Sequence, residues 1–349
     1  MNSGSDYRSF SRIIGQERAV DFLLRVIRGK RIPHAYLFQG ISGVGKKTTA
    51  IAFAQAINCL HPVDSEGCGQ CQPCRQIMGG TFPDLDYVQP EGQNIKIEQI
   101  RDLNRRLSFK PVSGKYRVCI IQQAETMTEE AANAFLKTLE EPPQGNIFIL
   151  KTVEPLDLLP TILSRCQKIP FRPLPIGLIE TWLIHENGIE QERASLMARI
   201  SEGSLGRAIY IAESGFLEER QDHLMKMIGL PALSKMEALE IALEYSGKKK
   251  KRSQDYLPGD SDLFEIMGMW KTWYRDLILL KVNGPPDLLI NIDFSRKLIN
   301  LSKRYTIKNL IESFLLVDRS QRDLIKNPNI GLMMEDMILR LRGLCERAV

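Results

Sequence analysis

The chain has 349 residues, of which 47 are Lys or Arg and 42 are Asp or Glu, giving a formal net charge of +5. This length exceeds what one ordinary hydrophobic core supports and predicts two or three domains. The apolar runs all fall short of the roughly 20 residues that cross a bilayer, which excludes a membrane-spanning protein and favours a cytoplasmic one. The mild basic excess is compatible with nucleic-acid contact but identifies no partner.

Short apolar runs alternate with amphipathic stretches in the first half of the chain. The runs His34–Phe38, Val118–Ile121 and Asn146–Leu150 are typical of buried strands. Alternation of such strands with helices predicts an α/β domain around a mostly parallel sheet. Closely spaced prolines then end this domain, which we expect to cover residues 1–173.

The rest of the chain has helical periodicity in two segments, predicted as domains over residues 174–246 and 255–349. Between them, the basic run Lys248–Arg252 is predicted to be a solvated interdomain loop in preference to a DNA contact. An aromatic stripe in the last segment indicates helix packing in preference to a platform for stacked nucleobases. Its members are Trp270, Trp273 and Tyr274.

A glycine-rich turn follows the run His34–Phe38 and precedes a predicted helix. Its candidate phosphate-binding residues are Gly40, Gly43, Gly45, Lys46, Lys47 and Thr48. In such a turn, backbone N–H groups wrap a phosphate and the ammonium of Lys46 neutralises it. The next position normally holds a Ser or Thr that binds Mg²⁺, but here it holds Lys47, and Thr48 lies about 100° further around the helix. We therefore expect weak ATP binding or none, and a turn that binds nothing is the alternative.

Four cysteines cluster shortly after this turn, in a Cys-x8-Cys-x2-Cys-x2-Cys array within residues 59–74. They are Cys59, Cys68, Cys71 and Cys74. This spacing, with glycines that permit tight turns, predicts a tetrahedral S4 site for a structural zinc ion. Four unrelated thiols would have no packing reason to cluster in a polar segment. Disulfides are disfavoured because the remaining cysteines are scattered, as in a reduced cytoplasmic protein.

Six segments, taken in order between about residues 10 and 210, resemble the bacterial clamp-loader proteins of the AAA+ family. They are Ile14–Gln16, His34–Phe38, the glycine-rich turn, the four cysteines, Ala131–Pro143 and Leu163–Gln167. The resemblance implies an AAA+ core with an inserted zinc module, a helical lid over residues 174–246 and a helical oligomerisation collar over residues 255–349.

In that family, a ring of five related subunits uses ATP to open a sliding clamp and place it on primed DNA. The partners implied for this chain are therefore the gamma/tau motor subunits, the delta subunit and the sliding clamp. Contact with primed DNA is implied through the assembled complex.

Two motifs of the ATP-hydrolysing members are altered in this chain. The strand Val118–Ile121 ends in Gln122 and Gln123, where that family has an Asp that orients Mg²⁺ and a Glu that polarises water. A neutral amide is neither a general base nor an equivalent ligand for a hard cation. The lid motif Gly-Ser-x-Arg reads Gly203–Gly206, with Arg207 one position late. With the altered glycine-rich turn, these departures resemble the non-hydrolysing delta-prime branch more than the gamma/tau motor branch.

The segment Leu163–Gln167 contains the arginine of the family's Ser-Arg-Cys motif. By resemblance, Arg165 reaches into the ATP site of a neighbouring subunit and stabilises transition-state charge there. A subunit that hydrolyses no ATP would still contribute to catalysis in this way. An exposed structural arginine at a strand edge is the alternative. Thr152 matches the phosphate-sensing position, but without the carboxylates it is expected to be a remnant.

Two other functions are weighed against a non-hydrolysing clamp-loader subunit in DNA replication. One is an active ATPase motor of the gamma/tau type or a related branch-migration motor. The other is a zinc-dependent DNA-binding regulator that reuses the fold. The missing catalytic carboxylates and the retained inter-subunit arginine favour the non-hydrolysing subunit.

Overall fold

The computed structural model describes residues 9–247, 262–324 and 328–346. The basic run Lys248–Arg252 lies outside these ranges, so its expected role as an interdomain loop stays a prediction. Within the described ranges, no helix combines the length and the apolar character that crossing a membrane requires.

The described residues form two compact units. The N-terminal unit ends at Pro175 and also includes Gly203–Gly206. The C-terminal unit consists of Ile176–Glu202 and the described residues from Arg207 onward. The division of the chain into core, lid and collar stays a prediction.

A five-stranded parallel sheet lies at the centre of the N-terminal unit, in the order β2-β3-β4-β1-β5. Its strands are β1 (Ala35–Gln39), β2 (Leu85–Val88), β3 (Arg117–Ile121), β4 (Asn146–Thr152) and β5 (Gln167–Pro170). Its helices are α1 (Glu17–Arg28), α2 (Lys46–Asn58), α3 (Gln72–Met78), α4 (Ile97–Leu107), α5 (Glu129–Glu140) and α6 (Pro160–Leu163). The predicted α/β domain with a parallel sheet is confirmed.

Helices cover both faces of this sheet. Tyr36 of β1 contacts Phe53 of α2, with ring centroids 5.2 Å apart. On the opposite face, Leu37 and Phe148 belong to the same buried cluster as Phe135 of α5, whose ring centroid lies 5.4 Å from that of Phe148. The three central strands β1, β3 and β4 are buried on both faces, which explains why they are apolar runs and not alternating sequences.

The register of the parallel strands fixes which segments lie together. Gln39 at the end of β1 pairs with Thr152 at the end of β4. Tyr36, near the start of β1, pairs with Gln167, the first residue of β5. Segments that follow β1 and β4 therefore lie at the carboxyl edge of the sheet, whereas the segment that precedes β5 lies at the amino edge.

A buried carboxylate fixes the connection between α4 and β3. Asp84 is fully buried and accepts hydrogen bonds from the backbone N–H groups of Val112, Ser113 and Gly114 at 2.7–2.8 Å. The guanidinium of Arg117 lies 3.3 Å away. Burial raises the pKa of Asp84, but the three N–H donors and Arg117 together outweigh burial and hold the pKa below its ordinary value.

The described part of the C-terminal unit is helical. Its helices are α7 (Ile176–Asn187), α8 (Gln191–Ile200), α9 (Leu205–Glu213, whose first two residues belong to the N-terminal unit), α10 (Phe216–Gly229), α11 (Lys235–Ser246), α12 (Asp262–Lys281), α13 (Ser295–Arg304), α14 (Ile307–Asp323) and α15 (Ile330–Glu346). Trp270, Trp273 and Tyr274 are all buried, and the ring of Trp270 packs edge-on against Tyr245 at 5.1 Å. These aromatic residues therefore pack helices and offer no open face to a nucleobase.

We expect Asp84→Asn to lower the free energy of unfolding by about 2–4 kcal/mol at neutral pH, because the amide keeps one acceptor oxygen but loses the charge that three N–H groups and Arg117 share. The ionised carboxylate stabilises the fold only while it is deprotonated. The difference between wild type and variant should therefore shrink as the pH falls below about 4.

Urea denaturation at pH 7 and at pH 3.5 measures both effects. Asp102→Asn is the matched control, since Asp102 is exposed and pairs with Arg105 on its own helix. Equal losses in the two variants at pH 7 would contradict the assigned role of Asp84.

Candidate functional site

The glycine-rich turn joins the end of β1 to the start of α2. Gly40 has a φ of +150°, and a Cβ there would lie 2.3 Å from the carbonyl oxygen of Phe171, so only glycine fits. Gly45 has a φ of +98° directly before the first residue of α2, a conformation that favours glycine. The turn therefore has the backbone that its sequence predicts and lies at the carboxyl edge of the sheet.

Lys46 folds back onto its own turn. Its side chain is buried, and the ammonium donates hydrogen bonds to the carbonyl oxygens of Gly40 and Ile41, the latter at 2.9 Å. Burial lowers the pKa of Lys46 to about 8, and the negative charge of Glu125 partly opposes this shift. The lysine that would neutralise a phosphate is thus engaged by carbonyl groups of the turn.

The hydroxyl groups near the start of α2 do not restore the usual metal ligand. Lys47 occupies the position directly after Lys46. Thr48 follows, half-buried, and the hydroxyl of Thr49 donates to the carbonyl oxygen of Gly45 at 2.9 Å. The structure therefore provides no hydroxyl at the position where such turns usually bind Mg²⁺.

The residues after β3 offer amides where the hydrolysing clamp loaders have carboxylates. The N–H of Gln122 donates to the carbonyl oxygen of Val88 at 2.8 Å, and Gln123 adopts a left-handed conformation with a φ of +49°. Glu125 points instead to the end of β4, where its carboxylate accepts the N–H of Val153 at 3.1 Å. The nearest acidic side chain after β3 is thus hydrogen-bonded to backbone.

Thr152 lies beside the glycine-rich turn. It is 1% exposed, and its carbonyl oxygen accepts the N–H of Gly40 at 3.2 Å. The structure therefore places Thr152, which matches the phosphate-sensing position and is expected to be a remnant, next to the turn, as its position at the end of β4 requires.

The segment Gly203–Gly206 packs on the glycine-rich turn within the N-terminal unit. The N–H of Gly206 donates to the carbonyl oxygen of Gly43 at 2.9 Å. A Cβ at position 206 would lie 2.9 Å from the Cα of Gly43, so the missing side chain allows this backbone contact. Arg207 forms ion pairs with Glu202 and Glu265 at 3.2 and 2.9 Å. Sequence reasoning identified the altered motif but not the contact of Gly206 with the turn.

The four cysteines of the array meet between the end of α2 and the start of α3. Their sulfur atoms all lie within 4.8 Å of one another, and those of Cys59 and Cys71 are 3.8 Å apart. A tetrahedron with metal–sulfur bonds of about 2.3 Å has sulfur–sulfur edges of about 3.8 Å. The cluster therefore fits a tetrahedral metal ion.

Backbone N–H groups and burial shift the pKa values of thiols in this cluster. The N–H groups of Cys71 and Gln70 point at the sulfur of Cys68 at 3.3 and 3.5 Å and are the main reason why its pKa falls to about 6. Burial raises the pKa of Cys59 and of Cys74. A bound cation would favour the thiolates that burial opposes, so these four residues could hold a metal ion.

Arg165 lies at the opposite edge of the sheet from the glycine-rich turn, between α6 and the start of β5. Its neighbour Cys166 is buried, whereas the side chain of Arg165 is 35% exposed. From Arg165 to the turn, the path along the strands is about six residues, or roughly 20 Å at ~3.3 Å per residue. The structure therefore does not bring Arg165 to the glycine-rich turn of its own chain.

The guanidinium of Arg165 is held by two acceptors that sequence reasoning missed. Nη1 donates to the carbonyl oxygen of Thr161 at 2.9 Å, and Nη2 donates to a carboxylate oxygen of Glu140 at 2.7 Å. Glu140 is the last residue of α5, where the helix dipole disfavours a negative charge. The unfavourable position of Glu140 was the only feature of the sequence that indicated its contact with Arg165.

Comparison with known proteins identifies relatives of this chain, one of which matches nearly its whole length. A family model described as DNA polymerase III, delta subunit, matches residues 15–175. The DNA polymerase III subunit delta' of Bacillus subtilis is 31% identical over 331 residues, which are 94% of this chain and 96% of that protein. The DNA polymerase III subunit tau of Escherichia coli is 36% identical over 59% of this chain, and the match spans 33% of tau.

Several solved structures match most of the chain. A gamma subunit-related protein of Thermotoga maritima has 20% sequence identity and a TM-score of 0.44, covering 93% of this chain and 99% of its own.

The contact of Gly206 with the turn predicts the effect of adding one methyl group. We expect Gly206→Ala to lower the free energy of unfolding by about 1–3 kcal/mol, because the new Cβ meets the backbone of Gly43. Helix propensity alone would give the opposite sign, since position 206 lies in α9. Gly229→Ala, in α10 with nothing within 4 Å of the added Cβ, is the control and should be neutral or stabilising. Thermal unfolding distinguishes the two, and equal stabilisation by both substitutions would disprove the contact.

Proposed function

Because the chain belongs to the delta-prime family of DNA polymerase III clamp-loader subunits, we propose that it is a non-hydrolysing AAA+ subunit of the ring that loads the sliding clamp onto primed DNA. Its proposed partners are the gamma/tau motor subunits, the delta subunit, the clamp and, through the complex, DNA. Its proposed contribution to catalysis is Arg165, given to a neighbouring subunit. The observation that carries this proposal is the position of Arg165 at the sheet edge opposite its own glycine-rich turn.

Three features support the absence of ATP hydrolysis by the chain's own site. Gln122 and Gln123 supply no carboxylate for Mg²⁺ or for activating water. Lys46 is hydrogen-bonded to carbonyl groups of the turn. Gly206 takes the place of a lid arginine and packs against Gly43. Nucleotide bound at the turn would therefore lack both the metal ligands and the groups that stabilise the transferring phosphoryl group.

A partly exposed arginine is suited to act in a neighbouring active site. Its guanidinium is always charged and presents planar, forked donors that match phosphoryl oxygens. Arginine supplied by a partner protein raises phosphoryl-transfer rates by about 10³- to 10⁵-fold in characterised systems. The side chain of Arg165 is partly exposed, and the next residue, Cys166, is buried in the core. Arg165 is therefore accessible to a neighbouring subunit while its backbone is held in place.

We assign ring assembly to the helical collar at the end of the chain. On α14, Ile307, Ile311 and Leu315 follow at intervals of four residues and are 38%, 43% and 40% exposed. Residues at this spacing share one face of a helix. An apolar stripe of this kind is suited to burial against another subunit.

The cysteine cluster is proposed to hold zinc. Four thiolates at tetrahedral spacing suit Zn²⁺ and leave no open position for water or substrate. The ion would therefore join the end of α2 to the start of α3 and take no part in hydrolysis.

We predict about one zinc ion per chain in protein purified without chelators. Cys71→Ser should lose the ion and unfold at a lower temperature, because metal binding stabilises the folded cluster. Cys119→Ala, which removes a buried thiol of β3 outside the cluster, should keep its zinc. Elemental analysis by mass spectrometry measures both variants. A wild-type content well below half an equivalent, or full retention in Cys71→Ser, would contradict the assignment.

Substitutions at Arg165 and at Lys46 in a reconstituted loader test which of these two residues contributes to ATP hydrolysis. Arg165→Ala should leave ring assembly intact but remove most of the DNA- and clamp-stimulated ATPase of one motor site, and Arg165→Lys should rescue it poorly. Lys46→Met, which keeps the apolar stem of the side chain, should leave the stimulated ATPase near the wild-type rate. Steady-state ATPase and clamp-loading assays measure both. Wild-type clamp loading by Arg165→Ala, or loss of stimulated ATPase in Lys46→Met, would refute the proposal.

A further inference from the structure

The side chain of Arg165 is ordered by contacts within its own subunit. Nη1 donates to the carbonyl oxygen of Thr161 at 2.9 Å and reaches the hydroxyl of Ser164 at 3.4 Å. Nη2 donates to Glu140 at 2.7 Å. These bonds hold two nitrogen atoms of the planar guanidinium, so they fix its orientation as well as its position.

Glu140 occupies a position that its own helix disfavours. It is the last residue of α5, where unpaired carbonyl groups carry partial negative charge. Glu141, the next residue, adds a second negative charge at the same helix end. No ion pair joins Glu141 to Arg165, both of which the structure describes. The two glutamates thus lie at the same negatively charged helix end, but only Glu140 contacts the guanidinium of Arg165 among the ion pairs of the described residues.

We propose that Glu140 is a positioning residue for Arg165: it holds the guanidinium in the orientation that the ATP site of the neighbouring subunit requires. This inference rests on the proposed function, since it gives Glu140 a role only if Arg165 acts in trans. The Thr161 carbonyl group holds one side of the guanidinium and Glu140 holds the other.

Pre-ordering matters because arginine is long and loses much rotamer freedom when it is fixed. A side chain already held in place loses less of that freedom when the transition state forms. The bonds to Thr161, Ser164 and Glu140 use three of the five N–H donors of guanidinium. The remaining donors can therefore bind phosphoryl oxygens while Glu140 stays in place.

The exposure of the pair argues against a second possible role for Glu140, in which it would hold Arg165 away from ATP in the neighbouring subunit. The side chain of Glu140 is 49% exposed, and exposed ion pairs are weak because water screens them. A pair of this strength orients a side chain but would not hold it away from a triphosphate.

The test uses the full chain in a loader reconstituted with its motor subunits, with ATP, clamp and primed DNA. We expect Glu140→Ala to lower the stimulated kcat by about two- to tenfold and to leave KM for ATP unchanged, because the lost interaction acts in the transition state. Glu140→Gln keeps an acceptor oxygen and should recover part of the rate.

Glu141→Gln is the matched control, because it removes the same charge from the same helix end and should leave kcat unchanged. Loss of a charge from a helix C-terminus should not destabilise α5, so unfolding temperatures should stay level across these variants. A lowered unfolding temperature with unchanged kcat in Glu140→Ala would overturn the proposal in favour of a structural role. A raised kcat would overturn it as well, since Glu140 would then restrain the arginine.

Arg165→Ala in the same assay tests the trans role of Arg165 separately from the positioning role of Glu140. If Arg165→Ala lowers kcat and Glu140→Ala does not, positioning by Glu140 is wrong while the trans arginine remains. If neither variant lowers kcat, both the positioning role and the trans role of Arg165 are wrong.

Discussion

Parallel pairing of β1 with both β4 and β5 is the constraint on which the arrangement of this chain depends. Parallel strands send all their carboxyl ends to one edge, so the glycine-rich turn after β1 and Thr152 at the end of β4 meet there. The same pairing places Arg165, just before β5, at the other edge. One sheet thus presents the glycine-rich turn and Arg165 on opposite edges. An arrangement of this kind suits a subunit placed between two neighbours in a ring.

Helix α2 connects the glycine-rich turn to the thiol cluster of the N-terminal unit. Its first residue, Lys46, belongs to the glycine-rich turn, and its last residue, Asn58, directly precedes Cys59 of the thiol cluster. The helix has 13 residues, or a length of about 20 Å. A metal ion bound by the four thiolates would hold one end of this helix while hydrogen bonds within the turn hold the other. With the ion bound, both ends of α2 would be held by local contacts, with no need for bound nucleotide.

Local sequence patterns were sufficient to predict the parallel sheet, the turn before α2 and the grouping of the four cysteines. Each of these depends on spacing within a short stretch of chain or on the burial of an apolar run. The bonds of Arg165 to Glu140 and of Gly206 to Gly43 join residues 25 and 163 positions apart in the sequence. Pairing at such distances follows from the tertiary fold, and a single sequence does not reveal it. The weak local signals were a glutamate at the end of a helix and a glycine where clamp-loader motors have arginine.

The bonds of Asp84 also limit how the chain can vary during evolution. Three consecutive N–H groups, from Val112 to Gly114, converge on one carboxylate. Inserting or deleting a residue within this triplet would shift the N–H groups out of register and leave a buried charge with fewer donors. A compensating change would have to replace the aspartate and its arginine partner together. We therefore expect insertions among related sequences to occur in other surface connections, while the length of this short segment stays fixed.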